Sequence, residues 1–505
     1  MKFDELLALL RRRGVLWPSA EIYGGAQGLY DYGPVGTALK QRVESAWSAW
    51  FVGLSDDFYT IDPAEILPEA VVRASGHLEN FTDPDVRCPH CGIHFRADTV
   101  LEKWRPEGVD GLSPAEVADL LKRHSVRCPN CGREGLEVPR PFNLMFGFEF
   151  GAAGGERVFL RPETAQGSYL SFARMWDVGR RALPLGVAVI GKAYRNEIAP
   201  RQALFRMRAF TQAELQIFFD PESVRVPFDR VADEKLPILR VARRRSGEEA
   251  PESRRAAELV AEGLPEFYVF YLVHMFRFFR EVLSCPTDRI RLYEKSDSER
   301  AFYNRIQFDL EVKLESLGGY KEIAAVHYRG DYDLGRHSQA SGKDLMVSLG
   351  AGKKLLPHVM ELTFGVDRSL WALADWGVLV DGDRTVWRLP SYLAPVAVGV
   401  FPHVRKEHGT VARDWYYRLL REGITAAYDD AGSIGRRYAR LDEIGTPFCI
   451  TVDRETVEGG SSGLATATLR DRDSKSQTRV SWTQLLERLR PSLVPPRPEP
   501  LEVPA

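Results

Sequence analysis

Tyr194-Arg195-Asn196-Glu197 and Arg206-Met207-Arg208-Ala209-Phe210 flank a loop that holds Pro200 and Arg201. Upstream runs Gly186-Val187-Ala188-Val189-Ile190, apolar enough for a buried strand that continues through Tyr194 to Glu197. Downstream, Leu204 to Phe219 reads as its return partner, so the segment predicts a long antiparallel hairpin. Such a hairpin brings two guanidinium groups and an aromatic face together. Phosphoryl and adenylyl transfer need that equipment, because an arginine fork binds phosphate oxygens in pairs and an aromatic ring stacks on a base. Taken alone, the same residues equally describe a surface ion-pair ladder over a core phenylalanine, which is the commoner arrangement.

Outward from the hairpin, Gly33-Pro34 opens a helix whose apolar residues, Val35, Leu39, Val43, Trp47 and Trp50, share one face. Residues 85–140 read as an insertion carrying Cys88-Pro-His-Cys91-Gly and Cys128-Pro-Asn-Cys131-Gly. Residues 221–263 are a mixed-charge stretch that reads as a solvated surface helix, and strands resume near Arg289 to Glu294, Ile323 to His327 and Val359 to Phe364, with a helix after Asp367. A separate β-then-α alternation starts at Ala394 and runs to about 490, and the tail from Pro491 to Ala505, with six prolines, is expected to be extended or disordered.

Composition bounds the function without selecting one. The 505 residues carry 68 Lys and Arg against 70 Asp and Glu, with 44% apolar and 27% charged residues. That excludes disorder as the main state and a polycation that wraps nucleic acid; any nucleic-acid contact must be a local patch. The N-terminal charge order opposes a secretory signal, and the stretch Phe267 to Leu283 is too polar to cross a bilayer, so a cytoplasmic protein is expected. There the two cysteine pairs, 36 residues apart, point to a closed four-thiolate zinc site with ligands Cys88, Cys91, Cys128 and Cys131, whereas Cys285 and Cys449 read as buried apolar residues. Gly186 to Lys192 has the spacing of a phosphate-binding loop, but Ala193 replaces the metal-binding hydroxyl and the interior is apolar, so that reading fails.

The hairpin residues resemble motif 2 of the class II aminoacyl-tRNA synthetases; Phe364-Gly365-Val366-Asp367-Arg368 resembles motif 3, and the Pro34 helix motif 1. Leu160-Arg161-Pro162-Glu163-Thr164-Ala165-Gln166-Gly167, Ser19 to Gly25, Leu29 to Pro34 and Gly445-Thr446-Pro447-Phe448 are similar to the homodimeric glycyl-tRNA synthetases. The resemblance implies an α+β fold: an antiparallel β-sheet core flanked by helices, with a C-terminal α/β anticodon-binding domain. The core is expected at 1–84 with motif 1, 141–220 with motif 2 and 289–390 with motif 3. The cysteine insertion takes 85–140, a mostly helical insertion 221–288, the anticodon-binding domain 391–490 and the disordered tail 491–505. The implied reaction is ATP-dependent ligation of glycine to its tRNA through an adenylate, with Mg²⁺ accompanying ATP, by a homodimer without an editing domain.

By the same resemblance Arg195 and Arg368 are the catalytic arginines. Arg195 holds the α-phosphate and the glycine carboxylate side, Arg206 and Arg368 the γ-phosphate, Phe210 stacks on adenine, and Glu197 meets the adenine amino group. Asn196, Phe205, Ile323 and Gly365 complete the implied ATP set, with Glu322 near ATP and Mg²⁺. Glu163, Glu214 and Glu361 form an acidic cluster for the glycine ammonium, where one carboxylate is expected to hold a proton when the site is empty, because like charges repel. Arg96, Phe210, Thr363 and Gly365 complete the implied glycine set. Three positions depart from the family pattern: Thr363 replaces serine, Leu362 replaces proline and Ala209 replaces glutamate. Residues 392–490 hold 15 Lys and Arg against 13 Asp and Glu, so composition does not announce RNA binding; Arg436, Arg437, Arg440, Arg470 and Arg472 are the candidates, each also readable as solvated surface. Two rival functions remain: another class II synthetase, which residues 161–167 disfavour, and an inactive synthetase-like nucleic-acid-binding subunit, which the retained arginines disfavour.

Overall fold

A computed structural model describes residues 1–505 except 106–108, 110, 111, 153, 350, 351, 462–464 and 502–505; the side chains of 460 and 461 are likewise left out. Nine strands form its main sheet: β1 (Phe58–Thr60), β2 (Leu185–Tyr194), β3 (Ala209–Phe219), β4 (Lys235–Leu239), β5 (Glu252–Arg255), β6 (Ile290–Glu294), β7 (Ile306–Leu314), β8 (Gly319–Gly330) and β9 (His358–Gly365). Their order is β5-β4-β6-β7-β8-β9-β3-β2-β1, antiparallel throughout except for β4 with β6 and β2 with β1. The quoted hairpin is β2 and β3, paired from Leu185 opposite Phe218 to Tyr194 opposite Ala209. The return strand starts later than the expected Leu204, because residues 203–205 form a 3₁₀ turn whose first residue, Ala203, has φ 45°.

The period-2 pattern of these strands sorts side chains onto two faces. Ala213, Leu215 and Ile217 of β3, Met360, Leu362 and Phe364 of β9, and Ala324 and Val326 of β8 point into one apolar core. The alternate positions make rows on the other face: His327, Glu361 and Gln216 lie side by side across β8, β9 and β3, and Ala325, Thr363 and Glu214 form the next row. This second face is polar yet shielded from solvent, since Glu214, Gln216 and Glu361 are all buried.

Helices α1 (Pro34–Phe51), α2 (Ala97–Leu101), α3 (Ala165–Val178), α4 (Glu266–Arg277) and α5 (Val366–Gly377) surround the sheet. Pro34 begins α1 where its missing N–H has no partner to lose. Leu39, Val43, Trp47 and Trp50 belong to the core of their own chain, each such burial contributing about 1.5–3 kcal/mol. Gly36 is required there: a Cβ on it would lie 2.0 Å from the Val15 carbonyl oxygen. The apolar face of α1 is therefore used inside the chain and gives no support to a dimer.

Two expectations need correction. Residues 221–263 are not one solvated surface helix: they supply β4 and β5 to the main sheet, and α4, which follows, enters its core, where Phe267 to Phe276 are all buried. Mixed charge misled because the strand Glu252–Arg255 is an edge, where alternate charged side chains are normal. The tail is not loose as far as it is described. Residues 493–501 have no regular structure, but the Leu501 N–H donates to Leu54 O at 2.6 Å and Arg230 donates to Pro500 O at 3.0 Å; residues 502–505 lie outside the described residues.

The cysteine insertion has its own small core, including Val86, Phe95, Leu101, Val117 and Val126. The C-terminal region adds α6 (Arg405–Arg421), α7 (Ile434–Asp442) and a five-stranded sheet of β10 (Val398–Pro402), β11 (Ala426–Tyr428), β12 (Phe448–Val452), β13 (Thr466–Asp471) and β14 (Gln477–Ser481). Val398, Val400, Trp415, Ile450 and Leu469 form a separate core within it. Among the described residues no helix is long and apolar enough to cross a membrane.

Candidate active site

A cleft of about 820 Å³ opens over the polar face of β3, β8 and β9. Its lining brings together Arg195, Glu197, Phe205, Arg206, Phe210, Glu322, Ile323, Gly365 and Arg368 at one end, and Glu163, Glu214, Glu361 and Thr363 at the other. Two of the expected residues stay out of that lining. Asn196 donates its backbone N–H to Leu144 O at 2.7 Å, and Arg96 is held by two carboxylates, Asp83 just before the insertion and Asp98 within it, the latter at 2.5 Å. Burial would disfavour the Arg96 cation, but those two acids outweigh it and hold its pKa above the ordinary value. Asp83 in turn is raised to about 6, by burial first, with Arg96 pulling the other way.

The phosphate-sized end is rich in cations that lack full compensation. Arg206 lies 3.6 Å from Glu197, and its pKa is lowered by burial and by Arg96 and Arg368 nearby. Arg368 donates to the Glu322 carbonyl at 3.0 Å and to its carboxylate at 3.2 Å. The guanidinium of Arg195 stands 5.1 Å from the ring centres of both Phe81 and Phe210. Glu197 Oε2, Thr211 Oγ1 and Gln212 Oε1 are buried in the cleft wall without a hydrogen-bond partner, and such groups are costly unless a ligand satisfies them.

The acidic end is built around Arg329, a fully buried guanidinium that sequence reading missed. It donates to both oxygens of Asp333, at 2.7 and 2.8 Å, and to Glu361 at 2.9 Å, and lies 3.9 Å from Glu163. Tyr303 covers its face at 3.7 Å. One cation among four carboxylates leaves an excess of acceptors, suited to a second, incoming cation. The three carboxylates differ in state. Glu163 is buried, which would raise its pKa, but His77, Arg329 and the Gln166 amide hold it well below the usual range. Glu214 is pushed well above that range, by burial first and then by repulsion from Glu361 and Glu163, against one bond from Thr164 at 2.7 Å. Burial and like-charge repulsion thus favour a proton on Glu214. Glu361 accepts from Arg329, from Gln216 at 2.9 Å and from Thr363 at 2.9 Å.

His327 also faces this end. Asn304 donates to its Nδ1 at 2.8 Å, which leaves Nε2–H directed at Glu361 Oε1, 3.5 Å away. The signal for Arg329 and His327 was present as two basic residues inside the otherwise apolar strand 323–330. Of the departures from the family pattern, Leu362 lies in the core on the opposite face, and only Thr363 lines the cleft. Tyr32 and the backbone N–H of Thr211 both donate to Asp367, tying the start of α1 to β3 and to the residue before Arg368.

The four thiols of Cys88, Cys91, Cys128 and Cys131 lie within 4.8 Å of one another, with Cys88 to Cys131 at 3.7 Å and Cys91 to Cys128 at 3.6 Å. A tetrahedron of ~2.3 Å metal–sulfur bonds has edges of about 3.8 Å, so the set fits one ion. Burial raises the Cys88 thiol, but the N–H groups of Cys91 and His90 and the neighbouring thiols bring it down to about 6.

Four of the five candidate arginines of the C-terminal region have structural partners. Arg437 donates to the carbonyls of Pro402, Asp430 and Gly432, Arg470 to Asp442, Arg472 to Gly445 and Leu389, and Arg440 to Asp429. Arg436 is exposed.

Residues 147–238 match the family model described as tRNA synthetase class II core domain (G, H, P, S and T), and residues 392–491 match the model of an anticodon binding domain. The chain is 36% identical to the glycine–tRNA ligase of Thermococcus kodakarensis, over 97% of this chain and 98% of that one. It is 38% identical to the enzyme of the same name from Aeropyrum pernix, over 97% and 96%. For the Methanothermobacter thermautotrophicus enzyme the identity is 36%, over 96% and 99%.

Proposed function

The chain belongs to the glycine–tRNA ligases, a class II synthetase family, and from this membership and the cleft we infer how its residues divide the work of charging tRNA with glycine. The observation that carries the assignment of residues is the join between the acidic cluster around Arg329 and the cationic end at Arg195, Arg206 and Arg368. The glycine ammonium enters among Glu163, Glu214 and Glu361. Its carboxylate, beside Arg195, attacks the α-phosphate of ATP; the bond to the β-phosphate breaks and pyrophosphate leaves. No base is needed, so catalysis is positioning and charge stabilisation. Arg206 and Arg368 hold the γ-phosphate, Glu322 would hold the Mg²⁺ that accompanies ATP, and Phe210 stacks on adenine. The terminal ribose hydroxyl of the tRNA then attacks the adenylate carbonyl, and AMP departs.

The test is glycine-dependent exchange of pyrophosphate into ATP, with glycine as the sole active amino acid. Activity with proline or threonine instead would select another synthetase specificity, and no exchange with any amino acid would make the chain an inactive relative. A Zn²⁺ ion on the four thiols, holding the insertion together, belongs to the same reading. One zinc per chain by elemental analysis, lost in Cys128→Ser along with protease resistance of residues 85–140, is the expected outcome. A homodimer in the cytoplasm rests on family likeness and on the six free cysteines. The exposed pair Ile22 and Tyr23, about nine-tenths accessible, is apolar surface that an interface would cover, and mass measurement in solution tests it.

A further inference from the structure

A second groove of about 780 Å³ continues from the cleft past Arg206 and Arg368. Phe205, Arg206, Glu322 and Arg368 line both spaces, so the two are contiguous. The far wall is of different origin: Asp98, Thr99 and Glu102 come from α2 and its C-terminal end, in the cysteine-bearing insertion. Lys321, on β8, crosses to Glu102 at 3.7 Å. The floor of the groove is the catalytic sheet, and its cover is the module that the four thiols hold.

We propose that this groove is the exit subsite for inorganic pyrophosphate, with Lys321 as a phosphate ligand and its contact with Glu102 as the latch that product breaks. The proposal rests on reading Arg206 and Arg368 as ligands of the γ-phosphate, which leaves as part of pyrophosphate. Two physical arguments carry it. A polyanion cannot leave through the opposite end of the cleft, where Glu163 and Glu361 repel it, so its path lies on the cationic side. Along that side Arg105, Arg206, Arg368 and Lys321 outnumber the carboxylates Asp98, Glu102 and Glu322, and among the described residues the Lys321 ammonium is held by one long ion pair. A pyrophosphate oxygen is a stronger partner than a carboxylate at that distance, so Lys321 exchanges Glu102 for the product.

The cover has a fixed position only while the insertion is rigid. Helix α2 packs through Ala97, Val100 and Leu101 into the same small core as Cys88 and Cys128. A metal on the thiols would therefore set where Glu102 stands, which gives the distant Cys₄ site a bearing on product release without any contact with the reactants.

Lys321→Met and Glu102→Gln in the full zinc-loaded chain test this, with inorganic pyrophosphate as the probe. Affinity is read by calorimetry on the glycine-free protein and as the inhibition constant against ATP. Lys321→Met is expected to weaken pyrophosphate binding about tenfold, the scale of one charge-assisted hydrogen bond. Glu102→Gln frees the ammonium and is expected to tighten it, and chelation of the metal to weaken it without loss of the main fold by circular dichroism. Pyrophosphate affinities within twofold of the unaltered chain for both variants would overturn the proposal. Glycine-dependent exchange by the unaltered chain is the separate check: its absence, with pyrophosphate still bound through Lys321, would remove the reaction assignment and leave the subsite standing.

Discussion

Glu214 has the least ordinary environment in the cleft, and a pH signature follows from it. Burial, then Glu361 and Glu163, raise its pKa, so the empty folded protein keeps a proton that a free glutamate, with its value of 4.5, would lose. Stability from this group is fully present below about 4.5 and is lost as pH rises through the folded value. On the proposed reading, in which the glycine ammonium enters this cluster, glycine reverses the preference by stabilising the charged carboxylate. Binding should release a proton, and glycine affinity should rise with pH below the folded value, by at most about tenfold per unit. Calorimetry in buffers of different ionisation enthalpy measures the release, and Glu214→Gln should abolish it. Thr363 carries the other residue-scale prediction. Its hydroxyl is fixed on Glu361, so its methyl has a defined place in the glycine end. Thr363→Ser is expected to raise alanine adenylate formation relative to glycine by roughly tenfold, the order of one methyl in a tight pocket; an unchanged ratio in pyrophosphate exchange would remove the crowding argument.

At the scale of elements, α4 shows what local reading left open. Its sequence is apolar around its whole circumference, the mark of a helix enclosed by its own fold, and Tyr268 within it donates to the Val326 carbonyl at 2.7 Å, fastening helix to β8. Tyr268→Phe should cost about 0.5–1.5 kcal/mol of unfolding free energy in denaturant titration, with little effect on glycine or ATP binding. Helix α7 divides two adjacent arginines in the same way. Arg437 donates to three carbonyls, of which that of Pro402 is buried, and Arg437→Ala should destabilise the C-terminal region by about 1–3 kcal/mol, the cost of that carbonyl left dry. Exposed Arg436→Ala should leave stability alone, weaken tRNA binding and reduce its salt slope by about one. A melt and a salt titration of tRNA affinity separate the two.

Over the whole molecule, the net charge of −2 adds two opposed populations, and one cleft brings both together: the carboxylates Glu163, Glu214 and Glu361 and the arginines Arg195, Arg206 and Arg368. Sequence determined the local grammar of that cleft. The hairpin and the four thiols were legible because short-range pattern and ligand spacing are properties of neighbouring residues, whereas the residues of the cleft's polar ends were expected from the likeness of short motifs to the family. Tertiary structure decided what required several strands at once. Arg329 enters the acidic cluster through β8 lying beside β9, the pKa of Glu214 is raised by burial and by two neighbouring carboxylates, and Arg96 is held by Asp83 and Asp98. Burial and like-charge repulsion depend on separation in space, so the ionisation states of the site, and which arginines are free for a ligand, exist only in the folded chain.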